Sequence, residues 1–123
     1  MCIFCDKINK NNNALFETSE WIAFSDEYPV SKGHTLLIPK EHFQTYFDLP
    51  DLYTETIGSS IKKVKKILDE KFHPDWYNIW FNCWETAGQS IMHFHIHIIP
   101  RYKGDVKNPR GGIRGVIPSK QDY

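Results

Sequence analysis

Three histidines alternate along the segment "IMHFHIHIIPR" at residues 91–101: His93, His95 and His97. A neutral imidazole attacks phosphorus through one ring nitrogen when the other nitrogen donates its proton to a fixed acceptor. A neighbouring histidine then supplies charge or a proton to the leaving group. Imidazoles are also common metal ligands. The spacing therefore predicts nucleophilic catalysis or metal binding, with a row of surface histidines as the alternative that has no chemistry.

The alternation of these histidines with apolar residues is typical of a β-strand, on which they would share one face. Each step of two residues advances about 6.6 Å, so the outer pair would stand roughly 13 Å apart on a straight strand. Because a zinc–nitrogen bond is about 2.0 to 2.1 Å long, all three rings of a straight strand do not easily reach one ion. Two neighbouring histidines could share an ion, and the third would then have another task.

A second group of polar residues precedes the histidines, in "NCWETAGQS" at 82–90. Gly88 allows a close approach of the backbone to a ligand. Gln89 and Ser90 add amide and hydroxyl donors beside the histidine row. This combination predicts a phosphate-binding loop, although turns use the same residue types.

The N-terminal segment 2–5, "CIFC", has the Cys-x-x-Cys spacing of a zinc knuckle in Cys2 and Cys5. The alternative is a pair of reduced thiols packed as small apolar groups. Three cysteines is an odd number, and the N-terminus lacks a secretory signal. We therefore expect reduced cysteines and a cytoplasmic protein.

The rest of the sequence must position these groups, and its periodicity predicts strands on both sides of one long helix. Residues 14–17 and 20–26 flank a short turn and predict a hairpin, and the apolar run 34–40 predicts a buried strand. Two further β-rich segments cover 76–84 and 91–100. Between them, after "DLPD", apolar residues at helical spacing predict a helix with a solvated basic face; the apolar stripe is Ile57, Ile61, Val64 and Leu68.

This order of elements favours the α+β class with an antiparallel sheet, because regular βαβ alternation is missing. At 123 residues the chain supports one domain, 1–123. Its formal net charge of zero gives no reason to expect a nucleic-acid polymer as partner. No apolar run approaches the roughly 20 residues that span a bilayer, so no membrane partner is expected. The Gly- and Pro-rich end, 104–123, predicts an extended, ordered arm.

The segment "HFHIHII", 93–99, resembles the His-x-His-x-His-apolar-apolar motif of the histidine triad (HIT) family of nucleotide hydrolases and transferases. The resemblance extends through "CIFC", "AFSDEYPVSKGHTLLIPKEH", Asn82 and "AGQS". It implies a HIT-like fold, an antiparallel sheet of about five strands with helices packed on it. It also implies a homodimer with a continuous sheet. The implied reaction transfers the α-phosphoryl group of a purine nucleotide through a nucleotidyl-histidine intermediate.

The resemblance also assigns roles to individual residues. His95, the middle histidine, would be the nucleophile, and His97 and His34 would act beside it at the phosphate. Asp26 would hold the ribose hydroxyls, with a turn-capping aspartate as the alternative; for His34 the alternative is a backbone-bonded histidine at a strand start. The implied phosphate and leaving-group contacts are Asn82, Gln89, Ser90 and His97.

For the cysteine pair, the resemblance implies that His42 and His93 complete a tetrahedral site. The metal would be one structural zinc per chain, which ties the N-terminus to the histidine segment. In this interpretation His93 serves the metal, and the next two histidines serve the phosphate.

The resemblance leaves the leaving group open between two branches of the family. "HIIPRYKGD" resembles the branch that cleaves dinucleoside polyphosphates, whereas Asn82 is typical of the nucleoside phosphoramidase branch. "NPRGGIRGVIP" resembles bacterial triad proteins described as dinucleoside tetraphosphate hydrolases, and its Arg110 and Arg114 either meet a polyphosphate or form a surface turn. We predict a hydrolase that releases a nucleoside monophosphate from a dinucleoside polyphosphate such as diadenosine tetraphosphate. The alternatives are phosphoramidate hydrolysis or nucleotidyl transfer, and a non-catalytic nucleotide-binding module.

Overall fold

The computed structural model describes residues 2–10 and 13–123, and in them one five-stranded antiparallel sheet carries a helix on each face. The strand order is β1-β2-β3-β5-β4. The main elements are α1 (Ile3–Lys10), β1 (Phe16–Glu17), β2 (Trp21–Ser25), β3 (Thr35–Pro39), α2 (Asp51–Phe72), β4 (Trp76–Trp80) and β5 (Ile96–Arg101). The predicted α+β class and antiparallel sheet are confirmed.

Helix α2 covers one face of the sheet with the stripe that its sequence predicts. Val64 and Leu68 are buried in a cluster that also contains Phe94, Ile96 and Ile98. Ile57 and Ile61 of the predicted stripe pack against the same cluster and are partly buried. None of the helices that the described residues form has both the length and the apolarity that a bilayer crossing demands.

Helix α1 covers part of the opposite face, where the histidines lie. Its Phe4 is buried in a second apolar cluster, with Ile22, Phe24, Leu36 and Ile38 of the central strands. Leu36 is paired with His97 across β3 and β5. Since directly paired residues of an antiparallel ladder project to the same side, His97 faces the α1 side of the sheet.

The predicted strand at 91–100 is wrong in its first half, because β5 begins at Ile96 and leaves His93 and His95 in irregular backbone. Extending the β3–β5 register would place Pro39 opposite Phe94. Proline has no N–H to donate to a ladder, so pairing ends there. Phe94 instead donates its N–H to the carbonyl of Phe43, at 2.7 Å.

The first hairpin, the strand at 34–40 and the long helix form where the sequence predicts them, whereas the strand predicted at 76–84 stops at Trp80. The end of the chain also differs from expectation. Instead of extending, the arm forms two short 3₁₀ helices, Ile113–Val116 and Pro118–Lys120. It folds back on itself, since Arg114 Nε donates to the Lys120 carbonyl at 2.9 Å.

Candidate functional site

The four residues predicted as metal ligands come together between α1 and the irregular backbone before β5. We call Cys2, Cys5, His42 and His93 the cysteine cluster; its ligand atoms all lie within 4.8 Å of one another. His93 Nδ1 lies 3.5 Å from the sulfur of Cys2 and 3.5 Å from that of Cys5. His42 Nδ1 lies 3.4 Å from the Cys5 sulfur and 3.2 Å from His93 Nδ1. Two sulfurs and two imidazole nitrogens thus point at a common centre.

These separations match the edges of a tetrahedron around zinc. With zinc–sulfur and zinc–nitrogen bonds of about 2.3 and 2.05 Å, the sulfur–nitrogen and nitrogen–nitrogen edges are about 3.5 and 3.3 Å. The observed sulfur–nitrogen distances of 3.4 and 3.5 Å, and the nitrogen–nitrogen distance of 3.2 Å, agree with that geometry. The donor set therefore fits a closed, four-ligand zinc site.

The hydrogen bond behind His93 also suits a metal ligand. His93 is buried, and its Nε2–H donates to the Pro39 carbonyl at 2.9 Å. Because a carbonyl only accepts, this bond places the proton on Nε2 and the lone pair on Nδ1, toward the cysteines. Burial lowers the pKa of His93 to about 4, so the ring is neutral at pH 7, the form that binds a metal.

His95 has the same arrangement with its two nitrogens exchanged. Its Nδ1–H donates to the carbonyl of His93 at 2.8 Å, which leaves the lone pair on Nε2. Burial lowers the pKa of His95 as well. The ring edge packs against Phe4 of α1, with centroids 5.0 Å apart. His95 is therefore a neutral, fixed imidazole with one free lone pair, as a nucleophile requires.

His97 is oriented by His34 rather than by a carbonyl. The Val30 N–H donates to His34 Nδ1 at 3.1 Å, so the His34 proton must be on Nε2. That proton points to His97 Nδ1, 2.9 Å away. The neutral His97 ring therefore carries its own proton on Nε2. Burial lowers the pKa of His97 to about 4, so its neutral form prevails at pH 7 and acts as a hydrogen-bond donor.

Asp26 joins these two histidines to form a second compact group, which we call the aspartate cluster: Asp26, His34 and His97. Its Oδ2 lies 3.5 Å from His34 Nε2 and 4.0 Å from His97 Nδ1. The group has the residue types of a metal site. However, a metal on His34 Nε2 would force the proton onto Nδ1, against the Val30 N–H that already points there. The hydrogen bonds of this cluster therefore disfavour a metal.

Asp26 is already engaged through its other oxygen. Its Oδ1 accepts the N–H of Tyr28 at 2.7 Å, the turn-capping contact that the sequence left as an alternative. The second oxygen, Oδ2, stays on the histidine side of the turn. Capping and ligand binding are thus compatible, because they use different oxygens of the same carboxylate.

The loop 82–90 uses Gln89 for its own structure. The side chain is buried, its oxygen accepts the Trp84 N–H at 2.7 Å, and its nitrogen donates to the carbonyls of Gln44 and Ile91 at 2.6 and 3.0 Å. Both amide protons are thereby used within the protein. A direct phosphate contact from Gln89 would break one of these bonds, so the structure favours a loop-holding role for it.

The neighbours of Gln89 remain better placed for a ligand. Ser90 is exposed, and Asn82 is partly buried. A side chain at Gly88 would contact the Asn82 amide, with its Cβ 3.4 Å from Nδ2, and Gly88 has a φ of 92°. The left-handed φ, and not a lack of space, therefore favours glycine at this position of the loop.

Two aromatic residues at the site were not predicted from sequence. Trp80 of β4 is paired with His97 of β5, and its indole stacks on the His97 ring with centroids 4.0 Å apart and planes 12° apart. Phe4 contacts both His93 and His95 by its edge, at 5.8 and 5.0 Å. The sequence signal for Trp80 was its place in a β-rich run, but the run does not reveal the register that brings it to His97.

The chain is similar to proteins of the HIT family over most of its length. The profile of the HIT domain family matches residues 7–104. A HIT-like protein of Methanocaldococcus jannaschii is 43% identical over 109 residues, which cover 85% of this chain and 82% of that protein. The adenosine 5′-monophosphoramidase of Schizosaccharomyces pombe is 42% identical over 103 residues, covering 81% of this chain and 74% of the relative.

Solved structures agree with the fold and include one with metal. The crystal structure of a zinc-bound histidine triad family protein from Mycobacterium smegmatis superposes with a TM-score of 0.77 at 29% identity. The match covers 88% of this chain and 80% of that one. The cysteines at 2 and 5 and the arm beyond residue 104 lie outside the part matched by the family profile, so their roles depend on the structure itself.

Proposed function

This chain belongs to the HIT family, and from that premise we propose that it is a nucleotide hydrolase that cleaves its substrate at the α-phosphorus through a nucleotidyl-histidine intermediate on His95. The proposed substrate is a dinucleoside polyphosphate such as diadenosine tetraphosphate. The observation that carries the proposal is the 2.8 Å bond from His95 Nδ1 to the His93 carbonyl, which leaves Nε2 as a free nucleophile.

In the first step, the lone pair of His95 Nε2 forms a bond to the α-phosphorus, and the bond from phosphorus to the leaving oxygen breaks. The leaving nucleoside polyphosphate keeps that electron pair. His97 Nε2–H donates a hydrogen bond to an oxygen on which negative charge develops. Positive charge that develops on the His95 ring is stabilised by its Nδ1–H bond to the His93 carbonyl.

In the second step, water attacks the same phosphorus and the phosphorus–nitrogen bond breaks. The electron pair returns to His95 Nε2, nucleoside monophosphate is released, and the surplus proton of water passes to solvent. Splitting one displacement into two lets the same positioned imidazole serve both halves of the reaction.

The residues around His95 are proposed to bind the nucleotide. Asp26 would hold the ribose hydroxyls through Oδ2, and Ser90 and Asn82 would contact the phosphate or leaving group. Gln89 would act on them through the loop that it holds. His34 would orient His97 through the 2.9 Å bond between their nitrogens.

The second candidate is phosphoramidate hydrolysis or nucleotidyl transfer at the same site. It is favoured by Asn82 and by the 42% identity to the S. pombe protein, which is named as a monophosphoramidase. A third candidate, a non-catalytic nucleotide-binding module, is disfavoured by the free Nε2 of His95, since a binder has no use for an oriented nucleophile.

Turnover of two substrates by one preparation separates these candidates. We expect diadenosine tetraphosphate to give AMP and ATP, and adenosine 5′-phosphoramidate to give AMP and ammonia if the second candidate is correct. His95→Ala should lower kcat at least about a thousandfold for whichever substrate is cleaved. His73→Asn is the matched control, because His73 is exposed and caps α2 with a left-handed backbone that asparagine tolerates. Unchanged turnover in His95→Ala would refute the nucleophile assignment, and nucleotide binding without turnover of either substrate would favour the third candidate.

We further propose that the cysteine cluster holds one structural zinc per chain, which would join α1 to the backbone before β5. Burial raises the pKa of the Cys5 thiol in the metal-free cluster, but a coordinated cation deprotonates such a thiol outright. Metal content measured by mass spectrometry should be near one zinc per chain and should fall in Cys5→Ser. Cys83→Ser is the control, because Cys83 lies outside the cluster; an equal metal content in all three proteins would remove Cys5 from the site.

The proposed assembly is a homodimer with a continuous sheet. Within the described residues β4 pairs on one side only, with β5, so its other edge presents free backbone groups. The exposed side chains Trp76 and Ile79 lie on this edge strand. Sedimentation of the full chain should show the mass of two copies; a single-copy mass at 100 μM would contradict the dimer. We also propose a cytoplasmic location, because none of the three cysteines, all of which the structure describes, forms a disulfide.

A further inference from the structure

The described residues contain one large cavity that the reaction proposed above leaves unused. It lies between the β4–β5 end of the sheet and the C-terminal arm, and its volume is about 1020 Å³. The floor includes Asn78, Trp80 and Arg101, and the roof includes Gly112, Arg114 and Tyr123. We call this space the arm cavity. Its volume reaches the upper end of the range found for pockets that hold small ligands.

Trp80 connects the arm cavity to the candidate active site. The indole that lines the cavity is the one stacked on His97, 4.0 Å from it. His97 in turn contacts His95, with ring centroids 5.2 Å apart. Ring contacts therefore run from the nucleophile to His97 and from His97 to the cavity wall. His95 and His97 are not among the residues that line the cavity, so Trp80 marks the place where the cavity adjoins the candidate site.

The charged residues that line the cavity favour an anion. Three are cations, Lys32, Arg101 and Arg114, and one is an anion, Asp105. Arg101 and Asp105 neutralise each other through two bonds of 2.8 Å. Among the side chains that line the cavity, Lys32 and Arg114 remain as two unpaired cations, and Trp80, Tyr102 and Tyr123 add aromatic surface on which a base can stack.

The arm itself is folded so that only one of its two arginines reaches the cavity. Both guanidinium groups lie over the Tyr123 ring, that of Arg110 at 5.3 Å and that of Arg114 at 4.9 Å. Arg114 lines the cavity, whereas Arg110 is absent from its lining. The two residues are thus matched in type and in aromatic contact and differ in their access to this space.

We propose that the arm cavity binds the leaving nucleoside polyphosphate, which is ATP when the substrate is diadenosine tetraphosphate. This inference rests on the proposed function and deepens it, because an enzyme that released only ammonia or a small amine would have no use for such a pocket. The base stacks on the aromatic wall, and the polyphosphate meets Arg114 and Lys32. Binding energy from this remote half of the substrate is then available to the reaction at phosphorus.

The test compares two substrates that share the AMP half and differ in the leaving group, diadenosine tetraphosphate and adenosine 5′-phosphoramidate. Gly112→Leu places a side chain in the cavity lining, and its backbone accepts one: φ is −55°, and a Cβ there meets only the Pro109 carbonyl, at 3.8 Å. We expect the ratio of the two kcat/KM values to shift against the tetraphosphate at least about tenfold. Gly58→Leu, on the surface of α2 with open space around its Cβ, is the steric control.

Arg114→Gln should shift the same ratio about fivefold at low salt and less at high salt. Arg110→Gln, its matched control, should leave the ratio within about twofold. An equal loss for both substrates in Gly112→Leu, or equal effects of the two arginine variants, would overturn the assignment of the cavity.

Binding of ATP to the full chain, measured by titration calorimetry, keeps this inference separate from the proposed function. If neither substrate is cleaved, the proposed function fails; the cavity proposal still requires ATP to bind the unmodified protein and Gly112→Leu to weaken that binding about tenfold or more. ATP affinity that is the same in Gly112→Leu and Gly58→Leu would refute the cavity proposal, whatever the activity.

Discussion

The cysteine cluster and the aspartate cluster are two compact groups of potential metal ligands, and each contains one histidine of the triad. They differ in what lies behind the imidazole. Behind His93 is the carbonyl of Pro39, which accepts a proton, whereas behind His34 is the N–H of Val30, which donates one. The first arrangement leaves a lone pair on His93 Nδ1 for a metal. The second leaves a proton on His34 Nε2, which donates a hydrogen bond to His97. The backbone group that bonds His93 Nε2 or His34 Nδ1 therefore decides what the other nitrogen of that ring can do.

His95 lies in sequence between the triad histidines of the two clusters. Its hydrogen-bond partner is a carbonyl, as in the cysteine cluster, but its proposed task is at the phosphate, as in the aspartate cluster. Its Nδ1 faces a carbonyl, as His93 Nε2 does, so its Nε2 carries a free lone pair. No cysteine points at that lone pair among the described residues. The lone pair on His95 Nε2 is therefore available to attack a phosphorus atom.

The largest effect should separate the two clusters by their metal. In His93→Gln we expect zinc content to fall from about one per chain to near zero, because the buried ligand is lost. The melting temperature should fall as well, since a metal present at a thousandfold above its dissociation constant contributes about 4 kcal/mol. His34→Gln is the comparison, and zinc content there should not change. Equal metal loss in both variants would contradict the distinction between the clusters.

The second prediction concerns the hydrogen bond that His34 donates to His97 within the aspartate cluster. His34→Ala should lower kcat about a hundredfold with little change in KM, because His97 can then place its proton on either nitrogen. His34→Gln should recover a large part of that loss, since an amide oxygen can accept from Val30 and an amide N–H can donate to His97. Steady-state kinetics on both variants check this. Equal activity of the alanine and glutamine variants would remove the hydrogen-bond explanation.

A third, smaller effect should come from the indole stacked on His97. Trp80→Leu should lower kcat about three- to tenfold, as expected for the loss of one aromatic contact. Trp80→Phe should retain most of the activity, because a ring can still stack. Zinc content should be unchanged in both, since Trp80 touches only the aspartate cluster side of the triad. A loss of zinc in Trp80→Leu would show that the two clusters are not independent.

The smallest effect should come from the ion pair between Lys65 and Asp69, which lies outside both clusters. It provides a reference for the size of the other effects. Hydrogen bonds from Lys65 and Tyr77 lower the pKa of Asp69 on α2. A lowered folded-state pKa stabilises the protein above the unfolded pKa, and this stability is lost as pH falls through the folded value. Because the pair is substantially exposed, Asp69→Asn should cost less than about 1 kcal/mol at pH 7.

Urea unfolding of Asp69→Asn from pH 7 down to pH 3 measures that cost. The difference from the unmodified protein should shrink as the pH falls, and Glu70→Gln, on the same helix, serves as the control. A difference that is constant over this range would show that it does not come from the carboxylate charge.

Much of the fold could be predicted from sequence because it depends on local patterns. Val64 and Leu68 repeat at helical spacing and are buried, and the first hairpin pairs Phe16 with Ala23. The strand at 91–100 was predicted too long, because its end is set by Pro39, a residue of another strand. The arm was predicted as extended for a different reason: its fold depends on contacts among its own residues that the composition does not reveal, such as Arg114 with Lys120.

The sequence alone determined which groups are available. It supplied three imidazoles at alternate positions, two cysteines at metal-binding spacing and a loop of small polar residues, and the motif they form led to the family. It did not determine which nitrogen of each ring carries the proton. That depends on a single atom behind the ring. For His34 this atom belongs to the nearby Val30, whereas for His93 it belongs to Pro39, which only the folded chain brings to it.

Tertiary structure also decided what surrounds the reacting ring. Trp80 reaches His97 through strand register, and the cavity is lined both by strand residues and by residues of the arm. Register and a shared lining are properties of pairs of segments, so neither segment encodes them by itself. The physical reason is that the chemistry of an imidazole is set by partners within about 3 Å, and for His93 and His97 those partners come from distant parts of the chain.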